Sequence, residues 1–290
     1  MSGGPPLRIV GLVPHQERPV AQQLAREAAA WLQARGVEVR LPAEDAAPAQ
    51  LGELGVPLDE FTRNLDLAIS LGGDGTMLRT VDLVYECGAA VLGVNVGQMG
   101  YLTEVEPDGL QHALEQLLAG EYAVDERMVL EVRVSSSGSA GGRWWALNEA
   151  VLEKGRSSRL VRLSVEINGT FFTTYAADGV IVATPTGSTA YSFSARGPIV
   201  SPRHRCLLLT PVSPHMLFDR SLVLDAEEEL QFTVDEPRGV LLTLDGIELG
   251  LLGLGDTMTC TGGPKPARIV TFGVRDFHQI LKAKFGLADR

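Results

Sequence analysis

Residues Gly72-Gly73-Asp74-Gly75-Thr76 set one carboxylate among three glycines, directly after the apolar run Leu65 to Leu71. Glycine lets a phosphate approach the backbone, and free N–H groups at the start of a following helix favour an anion. A carboxylate among such donors competes with that anion, so it needs a task of its own. Beside a hydroxyl, Asp74 could orient that group or accept its proton; it could also help to hold a metal. The alternative is a plain surface turn, and the strand before the motif and the helical pattern after it argue against that. Gly72, Gly73 and Thr76 are then candidate phosphate-binding residues and Asp74 the candidate catalytic residue.

A second constellation is Thr184-Pro185-Thr186-Gly187-Ser188-Thr189-Ala190-Tyr191, continuing Ser192-Phe193-Ser194. Its hydroxyls suit neutral hydrogen bonds to phosphate or ribose, and Tyr191 adds a flat ring for stacking on a base. Thr186, Gly187 and Ser188 are further phosphate-binding candidates. A hydroxyl-rich loop capping a helix at Thr189 is the alternative. Lys154, Arg156, Arg159 and Arg162 form a cation cluster with no acid among them, either a phosphate-facing patch or a solvated loop. Asn148-Glu149 pairs an amide with a carboxylate, a combination able to read ribose hydroxyls. Asp178-Gly179 reads as a turn.

Several other chemistries lack their motifs. Gly73 to Leu78 fails the dinucleotide fingerprint GxGxxG at its last position. No Gly-Lys dipeptide occurs, so there is no Walker A loop, and no GxSxG nucleophile elbow is present. Cys87, Cys206 and Cys260 are an odd number without a CxxC pair, which implies a reducing compartment and no zinc spacing. The first residues lack a signal-peptide pattern, no stretch nears the ~18 apolar residues that span a bilayer, and a cytoplasmic location is expected. A net charge of −11 disfavours nucleic acid and anionic membranes as partners, so a phosphorylated ligand must be met by local donors.

These residues must be positioned by elements that the periodicity outlines. Strand patterns at Leu7 to Val13, Val37 to Leu41, Leu65 to Leu71 and Ala90 to Val94 alternate with helical patterns. The helices run from about Val20 to Leu32, from Met77 to Cys87, and over Leu110, Ala113, Leu114, Leu117 and Leu118, with Asp108 as the last one's N-cap. Pro42 to Leu58 reads as a loop. This alternation predicts a parallel sheet covered on both faces. From about residue 125 only short strands follow: Val129 to Val134, Trp144 to Leu152, Val161 to Ile167, Thr170 to Ala176, Gly179 to Ala183, Leu207 to Thr210, Leu222 to Leu224, Leu230 to Val234 and Val240 to Leu244. Asn168-Gly169 marks a tight hairpin, and no helix is expected in this stretch. The expected organisation is an α/β domain over 1–124, an all-β, sandwich-like domain over 125–269, and a segment 270–290 whose helical pattern (Phe277, Ile280, Leu281, Phe285) returns to the first domain.

Taken in order and spacing, these motifs resemble the NAD kinase family: Gly72 to Thr76, Gly100-Tyr101-Leu102-Thr103-Glu104, Asn148-Glu149, Asp178-Gly179, and Thr184 to Tyr191 with Ser194 and Gly197-Pro198-Ile199. The first motif is shared with lipid and sugar-phosphate kinases; joined to Thr-Pro-Thr-Gly-Ser-Thr-Ala-Tyr it is highly specific. The resemblance implies transfer of the terminal phosphoryl of ATP, or of inorganic polyphosphate, to the 2′-hydroxyl of the adenosine ribose of NAD, giving NADP. It implies a divalent metal (Mg) escorting ATP, no tightly bound organic cofactor, NAD bound between the domains, and a homodimer or homotetramer. Carried over by position, Asp74 is the catalytic carboxylate, and Gly75 and Arg79 lie beside the nucleotide. Asn148, Glu149, Arg159 and Asp178 help to hold the dinucleotide. Thr189, Ala190, Tyr191, Ser192, Phe193 and Ser194 enclose the adenosine, with Tyr191 against the base. Arg196-Gly197 stands where many relatives have Gly-Gly, and Ile247 stands where some have a Gln that bonds NAD. The rival readings are a lipid or sphingoid-base kinase, which would show an apolar tunnel, and a non-catalytic dinucleotide sensor.

Overall fold

The computed structural model describes residues 7–97, 100–136, 138, 141–155, 160–273 and 277–287. It divides into two compact units, Met1–Glu126 with Ala267–Arg290, and Arg127–Pro266.

In the first unit, strands β1 (Ile9–Pro14), β2 (Glu38–Pro42), β3 (Gly55–Val56), β4 (Leu67–Gly72), β5 (Ala90–Asn95) and β6 (Ala123–Arg127) alternate with helices α1 (Pro19–Gln33), α2 (Ala43–Ala46), α3 (Leu58–Phe61), α4 (Asp74–Val84) and α5 (Leu110–Ala119). Pairing is parallel from β2 through β1 and β4 to β5. Every residue of β4 and β5 is buried, as expected for parallel strands covered on both faces. Helix α1 turns Ala21, Leu24, Ala25, Ala28 and Leu32 to the core at helical spacing, while Val20, expected on that face, is exposed at its first turn. Two local expectations change. Pro42 to Leu58 carries α2 and the short strand β3, and Asp108 lies inside a 3-10 turn over Pro107–Gly109. Gly109 precedes α5 with no side-chain cap, so Asp108 is not its N-cap.

The second unit holds β7 (Leu130–Ser135), β8 (Gly142–Ala146), β9 (Glu149–Lys154), β10 (Val161–Ile167), β11 (Thr170–Ala177), β12 (Gly179–Ala183), the short helix α6 (Tyr191–Ser194), and β13 (Cys206–Val212), β14 (Leu222–Asp225), β15 (Leu230–Val234), β16 (Val240–Leu244), β17 (Ile247–Leu252) and β18 (Thr257–Gly262). Two six-stranded sheets form, ordered β11-β10-β15-β18-β7-β8 and β14-β13-β12-β9-β16-β17. Val132, Leu163 and Phe232 of one share a core with Leu152, Val182 and Leu209 of the other, which makes a sandwich. The hairpin at Asn168-Gly169 has φ of +52° and +73°, the twist a two-residue turn between strands requires. A second buried cluster, Val151, Ile181, Ala183, Cys206 and Leu208, lies on the outer face of the second sheet with Ala195 and Val200 packed on it. Strands β9, β12 and β13 are thus covered on both faces, and the Thr184 to Val200 segment is part of that cover. This segment contains α6 and a 3-10 turn, Thr186–Thr189, where no helix was expected.

The predicted strand Trp144 to Leu152 is two strands. The Asp245 carboxylate accepts the N–H groups of Leu147, Asn148 and Glu149 at 2.7, 2.9 and 2.9 Å, which takes them out of any ladder and breaks the run.

After β18 the chain returns to the first unit as β19 (Ala267–Thr271) and α7 (Phe277–Phe285). Strand β19 inserts parallel beside β5, completing the order β3-β2-β1-β4-β5-β19-β6. Glu104 fastens it, accepting from the Thr271 hydroxyl at 3.0 Å and the Phe272 N–H at 3.3 Å. Among the described residues no helix is long and apolar enough to cross a membrane.

Candidate active site

In the first unit, β4 ends at Gly72 and α4 begins at Asp74, so the predicted loop is a strand-to-helix junction at the carboxyl edge of a parallel sheet. That edge is where open α/β sheets bind ligands. Both carboxylate oxygens of Asp74 are fixed by backbone: Tyr101 N–H donates to Oδ2 at 2.8 Å and Leu102 N–H to Oδ1 at 3.0 Å. A carboxylate offers about four acceptor sites, so acceptor capacity remains for a ligand hydroxyl.

The glycines around Asp74 fall into two kinds. A Cβ on Gly72 would sit 2.2 Å from Thr76 Oγ1, and one on Gly100 would sit 2.2 Å from Asp74 Oδ1, so the protein itself needs both. Beyond chain neighbours and, for Gly75, its own helix backbone, Gly73 and Gly75 have no atom within 4 Å of such a Cβ, and Gly73 has an ordinary φ of −97°. Nothing inside the protein requires a glycine there, although glycine in a helix costs about 0.5–1 kcal/mol relative to alanine. Close approach by a ligand would require it.

The loop opens on a cleft of about 460 Å³ whose other wall is the β1–α1 connection, His15 to Arg18. Parallel pairing of β1 with β4 brings these loops side by side, and His15 N–H extends it by donating to Leu71 O at 2.9 Å. Arg79 also lines the cleft, paired with Glu44 and with Asp45 at 2.9 Å. Asp45 is fully buried and also accepts from Gln16 Nε2 at 2.8 Å. Burial pushes the Asp45 carboxyl up from its ordinary value, while the Gln16 and Arg79 hydrogen bonds pull it back. Motif reading missed His15, Gln16, Arg18 and Asp45. The signal that could have found His15 to Arg18 is topological: in a parallel sheet, the loop after the neighbouring strand shares the same edge.

In the second unit, Ala183 of β12 lies opposite Glu149 of β9, and Thr184 continues the pairing with an N–H bond to Asn148 O at 2.8 Å. Thr184 Oγ1 donates to Leu147 O at 2.6 Å and accepts from Gly187 N–H at 3.1 Å. A Cβ at residue 187 would fall 2.2 Å from Asn148 O, so this glycine welds the hydroxyl-rich turn onto Asn148. Ser188 Oγ donates to Val200 O and accepts from Val200 N–H, and Ser192 Oγ bonds Thr210 Oγ1 at 3.1 Å. Both serines are fully buried. Thr184, Ser188 and Ser192 therefore have hydroxyl partners within the fold.

Other groups there have capacity left. Thr186 Oγ1 and Glu149 Oε2 are buried without a hydrogen-bond partner among the described residues. Burial raises the Glu149 carboxyl to about 8, helped by the Asp245 charge and opposed by a hydrogen bond from the Tyr191 N–H. Tyr191 and Phe193 are 39% and 38% exposed, which leaves ring surface for a base. Burial, then the charges of Glu153, Asp178 and Glu149, push the Tyr191 hydroxyl up. Thr189 Oγ1 makes one long bond to Thr186 O, 3.4 Å. Asp178, the one residue between β11 and β12, pairs with Lys154 at 2.7 Å, so Lys154 of the cation cluster has a carboxylate partner. Arg156 and Arg159 lie outside the described residues. Asp245, whose side chain shapes the Asn148 bend, had no assigned role in the sequence reading.

Residues 10–122 match the family model for the ATP-NAD kinase N-terminal domain, and residues 147–272 match that for the ATP-NAD kinase C-terminal domain. An NAD kinase of Heliobacterium modesticaldum is 41% identical over 95% of this chain and 97% of its own length. One from Syntrophotalea carbinolica is 35% identical over 98% and 100%. A crystal structure of yeast NADH kinase complexed with NADH superposes with a TM-score of 0.89 at 26% identity, covering 99% of this chain and 89% of that one. On these matches, which run through both units, the chain belongs to the NAD kinase family, enzymes that transfer a phosphoryl group to NAD to form NADP.

Proposed function

We propose that Asp74 is the catalytic carboxylate of this reaction. It orients the 2′-hydroxyl of the adenosine ribose of NAD and takes its proton as the donor's terminal phosphoryl arrives. Phosphoryl transfer asks a protein mainly for positioning and charge neutralisation, and a near-attack geometry can lower a barrier by about 7–11 kcal/mol. The observation that carries the reading is the clamping of both Asp74 oxygens by Tyr101 and Leu102 N–H, beside a glycine loop with room for phosphate.

The donor is ATP or inorganic polyphosphate, its phosphates against Gly73, Gly75 and the first turn of α4. In the second unit, Asn148, Glu149, Asp178, Thr189, Ala190, Tyr191 and Phe193 to Ser194 contact NAD, with the Tyr191 ring against the adenine. Among the described residues no group of three or more His, Cys, Asp or Glu is placed to hold a metal ion. Asp74 and Glu17 both line the cleft and are the carboxylates that would hold Mg²⁺, an ion that uses one or two carboxylates together with substrate phosphates. When bound with the donor, the metal supplies charge neutralisation on the phosphates. Exposed apolar side chains of the second unit, Phe171, Leu217, Leu251 and Leu254, support assembly as a homodimer or homotetramer, and the free thiols of Cys87, Cys206 and Cys260 fit a reducing compartment such as the cytoplasm. A lipid acceptor is disfavoured because the cleft beside Asp74 is lined largely by polar and charged side chains.

The test incubates the enzyme with magnesium, ATP and NAD and couples the product to an NADP-specific dehydrogenase. The wild type generates signal and Asp74→Ala reduces it by orders of magnitude. A wild-type signal no greater than a heat-killed control would contradict the reading.

A further inference from the structure

The cleft beside Asp74 must accept a highly charged phosphate chain in a protein of net charge −11. The loop Gly72 to Thr76 contributes no cation. Arg79 lies in the cleft wall, but its charge is balanced by Glu44 and Asp45. Arg18 differs. It stands on the opposite wall, at the end of the β1–α1 connection, and among the described residues it makes no ion pair.

One nitrogen of its guanidinium, Nη1, donates to Val96 O, the residue following β5. The same nitrogen lies over Gly97, where a Cβ would be 2.5 Å away, and Gly97 has φ +133°, a conformation that side chains resist. The side chain is therefore held at one corner by backbone that only glycine accommodates. A guanidinium has five N–H donors in a planar fork, so the remaining edge can meet phosphate oxygens bidentately. His15 adds a second donor. Its Nδ1 accepts the Glu17 N–H at 3.2 Å, so in the neutral ring the proton sits on Nε2. A guanidinium held at one corner and an imidazole N–H thus line the same cleft as the N-terminus of α4.

We propose that Arg18, supported by His15, binds the terminal phosphates of the phosphoryl donor and sets them in line with the acceptor hydroxyl at Asp74. The proposal rests on the reading of this cleft as the donor site. Because Arg18 would read phosphate and no base, it serves a nucleoside triphosphate and inorganic polyphosphate alike.

The test compares wild type with Arg18→Gln and Arg18→Lys. Glutamine removes the charge and ends two bonds short of the Arg18 Nη1 that bonds Val96 O, and lysine keeps charge and most of the reach without the fork. KM for ATP, KM for polyphosphate (where the wild type uses it), KM for NAD and kcat are measured beside a thermal melt. Arg18→Gln is expected to raise the donor KM at least tenfold, lower kcat, and leave KM for NAD within twofold and the melt within a few degrees of wild type. Arg18→Lys recovers part of the donor affinity. Donor KM and kcat within twofold of wild type in Arg18→Gln would overturn the proposal, as would an effect confined to NAD. A wild type that makes NADP while Arg18→Gln is unaffected sinks Arg18 alone; a wild type that makes none sinks the donor-site reading itself.

Discussion

Asp74 and Gly100 touch so closely that a single methyl group on residue 100 would lie 2.2 Å from the Asp74 Oδ1. The carboxylate and the 100–102 backbone are one unit, joined also by the bonds from Tyr101 and Leu102 N–H. Gly100→Ala must push the carboxylate or the loop out of place. An ångström of misplacement can cost about 100-fold in rate. The expected outcome is a kcat lowered by about that factor with the fold retained, read by the coupled assay beside circular dichroism.

Gly75 makes the opposite case. Apart from its chain neighbours and the backbone of its own helix, no atom of the described residues lies within 4 Å of a Cβ there, and alanine in a helix is favoured over glycine by about 0.5–1 kcal/mol. Gly75→Ala should melt at the same temperature as wild type or a few degrees higher. Its KM for ATP should nevertheless rise tenfold or more, because the methyl occupies space meant for phosphate. An unchanged KM would remove the ligand-approach explanation for this glycine.

Gly187 is a structural glycine inside the binding region of the second unit. A Cβ would meet Asn148 O at 2.2 Å and Asn148 C at 2.5 Å, both backbone atoms that cannot swing aside. Gly187→Ala should destabilise the protein by at least about 1–3 kcal/mol, the cost of overpacking. Urea denaturation measures this as a lower midpoint.

Glu149 ties stability to pH. Its carboxyl rises from 4.5 to about 8 in the folded protein, chiefly through burial. Between those values the folded chain keeps a proton that the unfolded chain releases. The stabilisation is complete below pH 4.5, falls by about 1.4 kcal/mol per pH unit as pH rises, and levels off above pH 8. Glu149→Gln lacks this dependence, so its stability relative to wild type should improve steadily from pH 5 to pH 8. Denaturation midpoints at three pH values check it; parallel curves would show that Glu149 ionises normally.

Much of this organisation was legible in the residues. Buried parallel strands such as Leu67–Gly72 are continuous apolar runs, and Asn168-Gly169 announces its hairpin, because both patterns are set locally. Asp74 and the hydroxyl-rich turn stood out for the same reason. The misses depend on partners distant in sequence. The Trp144 to Leu152 run looks like one strand until Asp245, nearly a hundred residues later, captures three of its N–H groups. The partners of Ser188 and Ser192, Val200 and Thr210, likewise lie twelve and eighteen residues further on, where no local pattern names them. Arg18 carries no motif at all; only the pairing of β1 with β4 sets its loop beside Asp74.

The most direct test of the central claim is Asp74→Asn, an exchange that keeps size but removes the capacity to take a proton; its amide nitrogen cannot accept an N–H, so one of the two bonds from Tyr101 and Leu102 is lost with it. NAD affinity is measured by calorimetry and turnover by NADP formation on the same preparation. The expected result is NAD binding within a few-fold of wild type, a melting temperature lower by a few degrees for the lost N–H bond, and a kcat reduced by at least about 1,000-fold, within the range that general-base catalysis and orientation together supply. An Asp74→Asn enzyme that turns over at a near-normal rate would contradict it.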